Sequence, residues 1–262
     1  MAYQKDMKTS SHKIIEDIIS IDIKPLIILS GYMGSISHGT HIPKENGIDD
    51  KDVMGIMVLP EQYYFGLSQK DCIDRFVGEW DIVMYEVKKF ISLLLNANPN
   101  VLGLLWLPEN LYVHKDEYGQ AFIENRKMFL TKKCYASFCG YAYSQLHRMT
   151  HLAFKGYMGE KRKNLVLQHG YDTKNAAHLI RLLRMGIEAL VEGELHVFRH
   201  DAEQLKSIKR GEWTLEQVKT EAERLFRAME TAYVNSKLPD APDKEKAEKL
   251  LCEIIRSNLA KK

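Results

Sequence analysis

The chain has 262 residues, room for one or two domains of about 150 residues each. Hydrophobic residues make up 45% and charged residues 27%, with 16 glycines and 7 prolines, which excludes a disordered or collagen-like chain. The 37 Lys and Arg nearly cancel the 35 Asp and Glu, so a net charge of +2 excludes nucleic-acid binding by bulk charge, and any basic site has to be local.

No apolar run reaches the roughly 18 residues of a membrane span, and the first eleven residues are polar. Cys72, Cys134, Cys139 and Cys252 form no CxxC pair. Cys134 and Cys139 fall in an apolar helical stretch and are expected to be buried free thiols, which places the chain in a reducing cytoplasm.

Residues 12–21 carry Ile14, Ile15, Ile18 and Ile19 on one face of an expected opening helix. Residues 25–30 form a strand-length apolar run broken by Gly31 and Gly34. Residues 53–59 form a second, stopped by Pro60, and residues 80–85 a third, rich in β-branched and aromatic side chains. Residues 85–107 turn helical, with Asn98-Pro99 as a breaker. Long helices are expected at 131–154, 173–191, 214–236 and 243–260, and Leu250, Leu251, Ile254, Ile255 and Leu259 make a stripe that docks on the body. Three strands with interleaved helices, then helices alone, predict an α+β chain. Its small α/β domain spans 1–130 and its α-helical domain 131–262.

The chemistry concentrates in Gly34-Ser35 and in Asp49-Asp50-Lys51-Asp52. A strand running into Gly-Ser is where backbone N–H groups and a hydroxyl can cradle an anion. Asp50 and Asp52 head a strand two residues apart, so alternation puts both carboxylates on one face. Carboxylates that close repel unless a cation bridges them, and Mg²⁺ suits, since it accepts carboxylates and leaves positions for substrate phosphates. The other reading of the same four residues is a solvated turn. Asp81 opens the third run and could add a ligand from a neighbouring strand, or be a surface acid at a strand end. Its rivals are Glu79, which alternation places on Asp81's face, and Glu86, which faces the other way and starts a helix.

In helix 173–191, Lys174, His178 and Arg181 share a narrow stripe, with Arg184 and Glu188 beside it, on a helix otherwise largely apolar. Such a stripe either faces a cleft, where its cations neutralise phosphates, or is a solvated helix face; Glu188 is expected to be dispensable for binding. His147 and His151 stand i,i+4 without a third metal ligand and read as ordinary histidines. Lys155, Tyr157, Lys161, Arg162 and Lys163 make a basic loop that is either solvated or in reach of an RNA backbone.

Gly34-Ser35, an Asp-x-Asp heading a strand and an acid on a later strand together resemble the DNA-polymerase-β-type nucleotidyltransferase superfamily. Three runs are similar to the branch predicted to act in RNA repair: Gly34-Ser35-Ile36-Ser37-His38-Gly39-Thr40-His41-Ile42-Pro43, Tyr85-Glu86-Val87-Lys88-Lys89-Phe90, and the long stretch from Gly170-Tyr171-Asp172-Thr173-Lys174 to Arg184. Lys44-Glu45-Asn46-Gly47 lengthens the usual spacing between the first two motifs. The resemblance implies that Gly34 and Ser35 hold a nucleoside triphosphate such as ATP, and that Asp50, Asp52 and Asp81 hold two Mg²⁺. It also implies that a nucleotidyl group passes to an acceptor hydroxyl, RNA being the first candidate. Relatives of the same fold modify proteins with AMP or act on small molecules, and a non-catalytic nucleotide-binding module is the reading from another class.

Overall fold

The structure, a computed structural model, describes residues 25–43, 49–150 and 160–260. The expected opening helix, the 44–47 insertion, His151, Lys155 and Tyr157 lie outside these residues.

The chain is α+β. Strands β1 (Leu26–Met33), β2 (Lys51–Val58), β3 (Cys72–Val77), β4 (Trp80–Glu86) and β5 (Tyr112–Lys115) form one sheet in the order β3-β4-β2-β1-β5. β2 and β4 run parallel, and the other neighbours are antiparallel. In β4, Trp80, Ile82 and Met84 are buried on one face while Asp81, Val83 and Tyr85 look toward the other, half-exposed. That alternation is what a strand covered by helices on one side and facing a cleft on the other requires.

Two features depart from the sequence expectation. β1 continues through Gly31 to Met33, because a side chain at Gly31 would stand 2.4 Å from Leu107 Cδ1, and a bare glycine lets the strand pass. The sheet also has two further strands. β3 has a single buried residue, Ile73, and β5 is four residues long, so neither carries a readable apolar alternation.

Helix α1 (Val87–Leu95) starts at Glu86, whose carboxylate accepts hydrogen bonds from the Lys88 and Lys89 amides and from the Tyr64 hydroxyl. α2 (Pro99–Leu105) begins at the Asn98-Pro99 pair, Asn98 capping it and Pro99 occupying its first turn. Then come α3 (Glu117–Glu124), α4 (Lys133–Thr150), α5 (Glu160–His169), α6 (Thr173–Glu192), α7 (Ala202–Lys209), α8 (Leu215–Asn235) and α9 (Lys244–Leu259). α8 opens on a capping box made by Thr214 and Gln217. Residues 161–163 belong to α5, so the expected basic loop is helical there.

α6 is the hub of the helical half. It packs against α4, α7 and α8 and buries Leu179, Ile180, Leu182, Leu183 and Leu190. α9 packs against α1, burying Ala247 and Ile254, with Leu250, Leu251 and Ile255 against the core. Cys134 and Cys139 are buried free thiols, each pushed up to about 11 by burial. No helix among the described residues is long and apolar enough to cross a membrane.

Candidate active site

Strand pairing sets Met33 beside Asp52 and Asp52 beside Asp81, in one transverse row across β1, β2 and β4. Directly opposed residues share a face of the sheet, so both carboxylates point the same way. They line a cavity of about 500 Å³. Its floor is the sheet with Gly34, Asp52, Asp81 and Val83; its walls are Pro99, Asn100 and Gly103 of α2, Tyr141, Ser144, Gln145 and Arg148 of α4, and His178 and Arg181 of α6.

Gly34 is irreplaceable by geometry. Its φ of +58° is left-handed, and a Cβ there would fall 1.7 Å from Asp52 Oδ2. The turn after β1 therefore presses bare backbone against the carboxylate. Ser35 turns elsewhere: its hydroxyl is 3.0 Å from His41 Nδ1, and it lines a separate void of about 10 Å³ with His38, Thr40, His178, Arg181 and Lys209.

The acids stand in a field that disfavours their charge. Asp52 is pushed up to about 6 by burial and by Asp81, Asp50 and Asp49, against the opposing pull of Lys174. Asp81 is raised by burial, then by Asp74 and Asp50. Asp50, one residue ahead of β2, thus acts on both. Glu79 is not in the row: it sits in the β3–β4 turn, where alternation no longer applies, and forms an ion pair with Lys51, whose ammonium also lies over the Trp80 ring. Among the described residues no three His, Cys, Asp or Glu side chains are grouped closely enough to hold a metal ion. Two adjacent carboxylates still fit Mg²⁺, which commonly takes one or two and fills its octahedron with water and phosphate oxygens.

Across the cavity the stripe on α6 divides. Arg181 is buried, its Nη1 donates to Met185 Sδ at 3.2 Å, and its Nε has no hydrogen-bond partner among the described residues. Burial, with Arg199 nearby, lowers the guanidinium to about 10. His178 lies beside it, held well below the ordinary imidazole range by burial and the Arg181 charge. His38 is neutral for the same reasons, and since the Val197 carbonyl can only accept, its Nδ1 carries the proton and its Nε2 is left as an acceptor. Lys174 is drawn to Asp49, 3.5 Å from Oδ1.

Sequence reasoning missed Lys209. Buried on α7, it donates to Asp49 Oδ2 at 2.9 Å and to the Thr40 carbonyl at 3.0 Å, tying the helical half to the segment that leads into Asp50. Burial pushes the Asp49 carboxyl up, but Lys209, the Ile42 amide and Lys174 outweigh it and hold the group low. Only the alternation of α7, which carries Leu205 and Ile208 inward with Lys209, hinted at it. The cavity residues of α4 fall at 141, 144, 145 and 148, a helical face that its polar composition disguised.

Glu188 has a structural partner that helical periodicity did not show. Its two oxygens accept from Arg199 Nη1 and Nη2 at 2.6 and 2.8 Å, and Arg199 also donates to Asp201, which Arg184 bonds in turn. Arg199 is fully buried, so Glu188 neutralises a core cation, a role in the fold and not in binding the nucleotide.

No curated protein matches the chain closely enough to count as a relative. A nucleotidyltransferase-like protein from Exiguobacterium sibiricum 255-15 aligns over 96% of this chain and 80% of its own at 11% identity, with a TM-score of 0.31, a likeness too loose to carry an argument. The sequence pattern of the RNA repair pathway DNA polymerase beta family matches residues 16–253, nearly the whole chain. The chain belongs to that family, and through it to the nucleotidyltransferase superfamily.

Proposed function

We propose that the chain transfers a nucleoside monophosphate from a nucleoside triphosphate to the hydroxyl of an RNA end, releasing pyrophosphate. One observation carries the reading: a single cavity opposes paired carboxylates, Asp52 and Asp81, to the buried guanidinium of Arg181, whose Nε has no hydrogen-bond partner among the described residues. A polyphosphate bound with a divalent cation satisfies both walls at once, the cation at the acids and the phosphate oxygens at the guanidinium.

In this reading Asp52 and Asp81 would hold Mg²⁺, with the charge of Asp50 beside them; the ion would lower the acceptor hydroxyl's pKa and offset charge on the triphosphate. Gly34 offers its backbone to the phosphates at close range. Arg181, with neutral His178, faces the phosphates from α6, Lys174 stands behind them at Asp49, and Ser35 supports the turn through His41. Asp81, at the outer end of the acidic row, is placed to take the hydroxyl proton. The acceptor oxygen bonds to the α-phosphorus as the bond to the bridging oxygen breaks, and that electron pair leaves with pyrophosphate.

The test is incubation with each of the four triphosphates labelled at the α-phosphate, together with Mg²⁺ and RNA bearing free 3′ hydroxyls. Label should enter RNA. Label in protein would redirect the reaction to protein modification, and binding without transfer would leave a nucleotide-binding module.

A further inference from the structure

We infer that Phe76 is a stacking platform for the terminal base of the acceptor strand, a site that rests on the nucleotidyl-transfer reading and extends it to the acceptor. The acidic row does not end at Asp81. In the antiparallel pairing of β3 with β4, Phe76 stands directly opposite Asp81 and Asp74 opposite Val83. Opposed side chains share a face, so Phe76 extends the row Met33, Asp52, Asp81 onto the edge strand. The charge of Asp74 on Asp81 places the two strands' acids on that same side.

Phe76 is 65% exposed on a strand whose core contribution is Ile73, so its ring is accessible beside the acidic row.

The order along the row decides what the occupant is. Gly34 and the cationic wall of α6 lie toward the Met33 end, where the triphosphate belongs. The acceptor oxygen has to attack in line, from the side opposite the leaving pyrophosphate. It therefore arrives from beyond Asp81, over β3. Asp74 makes that rim repel phosphate and favour hydroxyl donors, while the Phe76 ring offers a flat apolar face. A terminal nucleoside meets both conditions: its base stacks on the ring and its ribose hydroxyls face Asp74 and Asp81. Stacking is indifferent to base identity, since every base has a π face.

The experiment titrates a short single-stranded RNA with 2-aminopurine at its 3′ end into wild-type protein, Phe76→Leu and Phe76→Trp, and separately titrates Mg²⁺ with nucleoside triphosphate. Wild type and Phe76→Trp should quench the 2-aminopurine. Phe76→Leu should lose the quenching and bind RNA about 5- to 150-fold more weakly. Triphosphate affinity should be the same in all three. Equal quenching and affinity in Phe76→Leu, or no RNA binding by wild type, would overturn the inference. Failure of the triphosphate titration in wild type would instead strike the reading beneath it.

Discussion

Asp52 carries the sharpest residue-level consequence. Its carboxyl is pushed up to about 6 in the fold, against about 4 in an unfolded chain, so the native state gives up stability as pH rises through that window. Below pH 4 the group is protonated in both states and costs nothing. Two units correspond to at most about 3 kcal/mol. Asp52→Asn should therefore raise the melting temperature at pH 7.5 in chelator, with the gain fading as pH falls to 4. Mg²⁺ should shrink the gain by stabilising wild type alone, and the variant should not transfer nucleotide. A pH-independent difference measured by calorimetry would contradict this account of the group.

Among the elements, α6 and β3 mark what sequence could and could not show. A wide apolar arc made α6 legible almost to the residue; of its stripe, His178 and Arg181 line the cavity while Lys174 turns to Asp49. What periodicity could not show was pairing. Glu188 looks like any acid on a helix until Arg199, eleven positions on in a loop, folds back onto it. Asp52 and Asp81 were legible as strand-heading acids, but their adjacency depends on the parallel register of β2 with β4, which no local pattern encodes. β3 was invisible because an exposed edge strand has one core residue to betray it. The Arg199 pairing has its own test: Glu188→Ala leaves the buried guanidinium with Asp201 as its remaining carboxylate partner and should cost about 1.5–3 kcal/mol. Chemical denaturation should register the loss in midpoint, with Glu188→Gln less severe; an unchanged midpoint would contradict the pairing.

At the scale of the whole molecule, the near-zero net charge hides a local separation: in the cavity the acids Asp52 and Asp81 stand on the sheet, with Arg148 and Arg181 on the helices opposite. Lys209 and Asp49 join the two sides next to it, so the opposition is held by the fold and not by flexible side chains. Arg181 is the most informative point in that arrangement, because among the described residues its buried Nε has no hydrogen-bond partner, and a poorly compensated buried cation weakens the empty protein and strengthens an anion complex. Arg181→Met keeps the volume and removes the charge, so its folding stability should be unchanged or higher. Isothermal titration of Mg²⁺ with triphosphate into wild type and Arg181→Met is the most direct measurement. The account predicts binding by wild type and affinity about 10- to 150-fold weaker in the variant. Equal affinities, or a wild type that binds no triphosphate, would contradict it.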